Sequence, residues 1–194
     1  FDIDAKDFAR YMSKMAENGA CILGGCCGTA PKYIEETVNS TKNIPFCAPT
    51  RKNYTIVSGE VSAVTFGDKP ILIGERINPT GKKRIKEALK NEDYSLILSE
   101  GVRQQDAGAH ILDVNAGLPD IDEGAALLEL TQSLQEVCSI PLQIDSANPA
   151  AMEKALRYYV GKPLINSVNA TEASMSAVFP MAKRYGGAVI ALTM

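Results

Sequence analysis

The chain contains no tryptophan and a single histidine, and none of its apolar runs is long. A bilayer crossing needs roughly 20 consecutive apolar residues. None is present and no signal peptide opens the sequence, so a cytoplasmic setting is expected and a membrane partner is not. Basic residues do not dominate either. The net charge is −3 and the pI about 5.3, which argues against a nucleic-acid partner, because phosphate binding needs lysine and arginine gathered on one face. One local gathering exists, Lys82-Lys83-Arg84. Five cysteines in such a setting are not a disulfide framework. The lone His110 precedes a strand-like run, where histidine packs or faces solvent more often than it ligates. What remains, 45% apolar and 22% charged over 194 residues, is a globular composition for one or two domains.

Several apolar runs end in a carboxylate or an amide. Ile71-Leu72-Ile73-Gly74 leads into Glu75, Ile111-Leu112 into Asp113-Val114-Asn115, Pro141-Leu142-Gln143-Ile144 into Asp145, and Pro163-Leu164-Ile165 into Asn166. Amphipathic stretches long enough for crossover helices separate them: a short helix to Lys90, then 93–107 closed by Gly108, 122–137, 149–159 capped by Asn148, and 171–185 closed by Gly186-Gly187. The alternation predicts parallel βα units of the TIM-barrel type, an α/β fold whose chemistry gathers at the carboxyl ends of the strands. That site is made of acceptors and amides, without a nucleophile or a histidine.

Ahead of these units, 4–18 reads as a helix capped by Asp4 with an apolar stripe of Phe8, Tyr11, Met12 and Met15, stopped by Gly19. Ala20-Cys21-Ile22-Leu23 reads as a short buried strand. Gly24-Gly25-Cys26-Cys27-Gly28-Thr29 follows, then a helix with Thr29 as cap and Pro31 in its first turn. From Pro45 to Lys69 the periodicity breaks, so the expected organisation is 1–45 as the last units of one barrel, 46–70 as a connection, and 71–194 as the first units of a second. The chain opens at Phe1 and stops at Met194 directly after an apolar strand-like run, which would leave an uncovered edge. It reads as an excerpt of a longer polypeptide.

Adjacent cysteines can bridge each other only through a strained small ring, whereas both can point at one soft cation when flanking glycines let the backbone approach closely. The alternative is two small residues filling a tight turn. A catalytic zinc wants three protein ligands, and here only two are evident.

The segment Gly24-Gly25-Cys26-Cys27-Gly28-Thr29-Ala30-Pro31 resembles the last zinc-ligand motif of the homocysteine methyltransferase barrel. Ile73-Gly74-Glu75-Arg76-Ile77-Asn78-Pro79-Thr80-Gly81 is similar to the opening of the pterin-binding barrel in the cobalamin-dependent methionine synthase family. The order of the two motifs matches that family's domain order. The resemblance implies zinc held by Cys26, Cys27 and a first ligand ahead of Phe1, with zinc activating the thiol of homocysteine. It implies a second barrel that binds methyltetrahydrofolate and presents its methyl group to cobalamin on another domain or corrinoid protein.

By the same resemblance, Asp145 meets the donor edge of the pterin and Asn166 an adjacent polar edge. Lys82, Lys83 and Arg84 form a substrate-contacting turn whose charge suits a glutamate tail, and Glu75, Asn78, Asp113 and Asn115 line the pocket. Each has a plainer role open to it: a helix cap for Asp145-Ser146, a turn for Asn78-Pro79-Thr80-Gly81, a solvated face for Lys82-Lys83-Arg84, and orientation of other side chains for Glu75, Asp113 and Asn115. Rival functions are a methyltetrahydrofolate:corrinoid protein methyltransferase, a dihydropteroate synthase-like enzyme, and a non-catalytic folate-binding or scaffold piece. The cysteine doublet favours the first reading over the other enzymes.

Overall fold

The structure, a computed structural model, describes residues 3–48 and 53–193. Residues 49–52 of the expected connection therefore lie outside the described residues. The chain clusters into two compact units that meet between Asn53 and Tyr54.

In the first unit, α1 (Ala5–Glu17) starts where Asp4 accepts the Asp7 N–H at 2.8 Å. It packs along α2 (Pro31–Thr41). Small side chains make the contact close: Ala9 and Thr37 are buried, and Phe8 meets Tyr33 edge-on with ring centroids 5.5 Å apart. The expected apolar stripe is only partly used, since Tyr11 and Met15 face outward. Two further expectations are corrected here. Ala20–Leu23 forms no strand, and Ile22 is 94% exposed. A strand persists as a member of a ladder, and among the described residues of this unit nothing pairs with it. The cap of α2 is Ala30, because the Thr29 hydroxyl turns back to accept the Cys26 N–H at 3.1 Å.

The second unit opens with an antiparallel hairpin, β1 (Thr55–Ser58) and β2 (Ala63–Phe66), where the sequence reading placed connection. Five parallel strands follow in sequential order: β3 (Ile73–Ile77), β4 (Ile111–Asn115), β5 (Leu142–Asp145), β6 (Leu164–Asn169) and β7 (Ala188–Leu192). Helices α3 (Lys83–Lys90) and α4 (Ser95–Asp106) join β3 to β4, and α5 (Glu123–Val137), α6 (Pro149–Leu156) and α7 (Glu172–Tyr185) fill the later crossovers. Sequential parallel strands joined through helices are the winding of an α/β barrel wall.

Alternation sorts each strand between two environments. Leu112, Val114, Leu142, Ile144 and Ile165 are fully buried against the helices, where Leu127, Leu130 and Leu134 of α5 are equally inaccessible. Each such side chain contributes about 1.5–3 kcal/mol through removal from water. On the opposite face Ile111 and Leu164 meet Val57, Val64 and Phe66 of the hairpin. Backbone bonds between Ser58 and Lys162 (2.9 and 3.0 Å) fasten the hairpin to the segment entering β6. Tyr159 adds a further tie, since its hydroxyl donates to the Ser58 carbonyl at 2.9 Å and accepts the Leu142 N–H at 3.0 Å. Farther along the strands this hairpin-facing surface turns polar.

Two strand boundaries differ from expectation: β6 continues to Asn169, so Asn166 lies within it and not at its end, and β3 starts late. Pairing of β3 begins at Ile73 opposite Ile111, while Leu72 is 55% exposed and bonded to His110 instead. Glu75 consequently lies within the strand, at a register shift between Gly74 and Ile77, and not at its end.

Candidate functional site

The polar surface is set by register. Asn115 of β4 stands opposite Asp145 of β5, which stands opposite Asn166 of β6. Two residues earlier, Asp113 stands opposite Gln143. Because alternate residues share a face, these five side chains occupy one surface in two tiers. Asp145 and Asn166 line a cleft of about 400 Å³ together with Ser146, Met152, Asn169 and Val178. The Asn166–Ser167 peptide there is cis.

Amides and carboxylates interlock within the surface. Asn115 Nδ2 donates to Asp145 Oδ2 at 2.9 Å, while its Oδ1 accepts the Gly117 N–H at 2.8 Å. Gln143 Nε2 donates to Asp113 Oδ1. Asp113 is only 3% exposed, and burial, reinforced by the nearby Asp145 and Glu75 carboxylates, pushes its carboxyl up to about 6 against the pull of the Gln143 hydrogen bond and the neighbouring Asn166 amide. Burial likewise raises Asp145, with Glu123 and Glu75 adding to the effect and the Asn115 hydrogen bond opposing it. Such crowding of carboxylates calls for a ligand that brings N–H donors.

The structure divides the remaining sequence candidates. Glu75 takes the Lys82 ammonium on both carboxylate oxygens, at 3.2 and 3.3 Å. Lys83 instead points along its helix to Glu87 at 3.8 Å, and Arg84 lines a small outer hollow with Leu96 and Glu100. Asn78 closes its own turn, its Oδ1 accepting the Thr80 N–H at 2.9 Å. Three supporting residues escaped the sequence reading. Gln143 could have been found, since it sits two positions before Asp145 and so on the same face. Ser146 and Glu123 gave no local signal: the Ser146 hydroxyl donates to Glu123 Oε1 and accepts the Asn148 N–H at 2.9 Å, which ties the loop after β5 to the start of α5.

In the first unit, Cys26 and Cys27 lie in a turn closed by the Thr29 N–H on the Cys26 carbonyl at 3.0 Å, with Gly28 at φ +83°. Their sulfurs are 3.8 Å apart and exposed. Two thiolates about 2.3 Å from one tetrahedral zinc stand about 3.8 Å from each other, so the pair fits two corners of such a site. Among the described residues no group of three His, Cys, Asp or Glu completes it. Cys21 hydrogen-bonds the carbonyls of Gly19 and Cys47, and Cys138 is buried in the helix-side core with its thiol pushed up to about 11. His110 is engaged through Nδ1 by the Leu72 N–H at 3.0 Å.

A parallel wall whose carboxyl ends carry a carboxylate and amide cup is the arrangement expected of proteins that grip a flat, donor-rich heterocycle, and residues 74–194 match the family described as pterin binding enzyme. The chain belongs to that family. Residues 1–40 match homocysteine S-methyltransferase. Among curated relatives, the chain is 32% identical over 187 residues to the methionine synthase of Mycobacterium tuberculosis and 31% identical over 192 residues to that of Mycobacterium leprae. Each match takes in 93% of this chain, which spans 16% of the relative's length. Among the described residues no helix is long and apolar enough to cross a membrane.

Proposed function

We propose that the chain serves a methionine-synthase-type methyltransferase, binding 5-methyltetrahydrofolate in the cup of the second unit and contributing Cys26 and Cys27 to a zinc site for homocysteine in the first. The observation that carries the reading is the side-by-side placement of Asp145 and Asn166 in one cleft, with both carboxylates of the cup held above their ordinary range. Asp145 accepts from the ring's amino and N–H groups, and Asn166 takes the adjacent polar edge. Lys82, poised on Glu75, is the member of the basic turn best placed to meet a folate tail carboxylate. Homology over both segments of the chain favours this function over a dihydropteroate synthase-like one, since the thiol pair lies in the homocysteine S-methyltransferase match.

The chemistry asks two things of the protein. The methyl leaves a ring nitrogen that must gain a proton as it becomes an amine, so the ring has to be held by groups that keep N–H bonds polarised. The homocysteine sulfur must react as a thiolate, and zinc supplies that when bound by lowering the thiol pKa. Cys26 and Cys27, 3.8 Å apart, would hold the ion from one side. Cobalamin, carried on another domain or protein, supplies the nucleophile that takes the methyl from folate.

Calorimetric titration of the 194-residue protein with 5-methyltetrahydrofolate tests the reading. Saturable binding weakened at least about tenfold by Asp145→Ala is expected, in line with about 1.5–3 kcal/mol for hydrogen bonds to a charged group. Binding indifferent to that substitution would overturn the assignment.

A further inference from the structure

Two amides of the cup send their NH2 groups to a carboxylate: Asn115 to Asp145, and Gln143 to Asp113. The Asn115 amide cannot turn over without loss, because its oxygen is already held by the Gly117 N–H. Asp113, as a carboxylate, can only accept. Asp145 keeps Oδ1 beyond the oxygen that Asn115 occupies. Gln143 carries the same signature, since its Oε1 is a buried side-chain oxygen with no partner among the described residues. The Asn115 and Gln143 donors are used internally, and what Asp145 offers the cleft is an acceptor.

We propose that Asn115 is a positioning residue that fixes this polarity at Asp145, so that the cup accepts only a ring edge with adjacent N–H donors. The inference rests on the folate reading and adds to it the residue that imposes the donor requirement. Asn115 acts through Asp145 and need not touch the ligand.

Asn115→Asp is the decisive substitution. It keeps the oxygen that holds the Gly117 N–H and the side-chain shape, but it replaces the donor to Asp145 with an acceptor. Charged or titratable neighbours of this pair are Asp113, Glu75 with its partner Lys82, and Glu123. Among so many carboxylates, two more oxygens in contact cannot both stay ionised without repulsion. At pH 8 the variant should bind 5-methyltetrahydrofolate at least about tenfold more weakly than wild type, and it should regain most of that loss near pH 6, where one shared proton restores the donated hydrogen bond. Wild type should show no such gain on acidification.

Loss of binding by Asn115→Asp that acidification does not relieve would mean that the amide itself contacts the ligand, and would overturn the positioning role. Wild-type binding by Asn115→Asp, alongside lost binding by Asp145→Ala, would overturn the wiring and leave the folate reading standing. Unchanged binding in every variant would overturn both.

Discussion

A carboxylate buried in a pocket that expects a ligand leaves a trace in stability. The folded protein holds the Asp113 proton up to about 6, whereas an unfolded chain releases it near the ordinary value of 3.8. Between those values the folded state binds more protons, so stability must fall as pH rises across the window and level off above it. Asp145, raised in the same direction, adds to the slope. Urea midpoints measured from pH 7 down to pH 5 should therefore rise for wild type and rise less for Asp113→Asn; a wild-type midpoint that drops over the same interval would contradict the burial argument. At the thiols, zinc should be held only while both Cys26 and Cys27 are present, and weakly enough for a chelator to strip it. Retention by Cys26→Ser would place the metal elsewhere. Asp145 and Asn166 stood out in the sequence because each follows an apolar run, although only Asp145 ends its strand, β6 continuing to Asn169. The standing of their neighbours was not, since whether Asn115 meets a ligand or another side chain depends on β5, which is distant in sequence and adjacent only in register.

At the scale of elements, the helices of the second unit were legible through caps and stops that act within a few residues: Asn148 accepts the Ala150 N–H at 3.0 Å, and Gly186 ends α7 at φ +69°. The hairpin was not. Its strands are four residues each, interrupted by Gly59 and Ser62, and the reason it folds where it does lies in Ile111 and Leu164, far along the chain. The same holds for Ala20–Leu23, where a strand-like composition had no described neighbour to pair with. The hairpin's anchorage can be tested at Gly161, which sits at φ +115° with room for a Cβ only 2.4 Å from the Ser58 carbonyl oxygen. Gly161→Ala should cost about 2 kcal/mol or more, from strain at positive φ together with the displaced hairpin. Tyr159→Phe, which removes a donor and an acceptor at once, should cost about 1–3 kcal/mol. Equilibrium urea denaturation reads both, and a Gly161→Ala protein as stable as wild type would mean the hairpin is not fastened there.

For the whole molecule, the sequential order of the wall sets its exposure. Among the described residues β3 and β7 are the outermost strands, and Leu72 beside one and Leu192 in the other are exposed. Unpaired parallel edges recruit other chains. Light scattering on the isolated 194-residue polypeptide should show self-association that grows with concentration, and a stable monomer throughout would count against open edges. The strand order has a further consequence for hydrogen–deuterium exchange. Asp145 and Asn166 ride on β5 and β6, each flanked by a neighbour on both sides, whereas Glu75 rides on a border strand. In the isolated 194-residue polypeptide, amides of β3 should therefore exchange before those of β5 and β6.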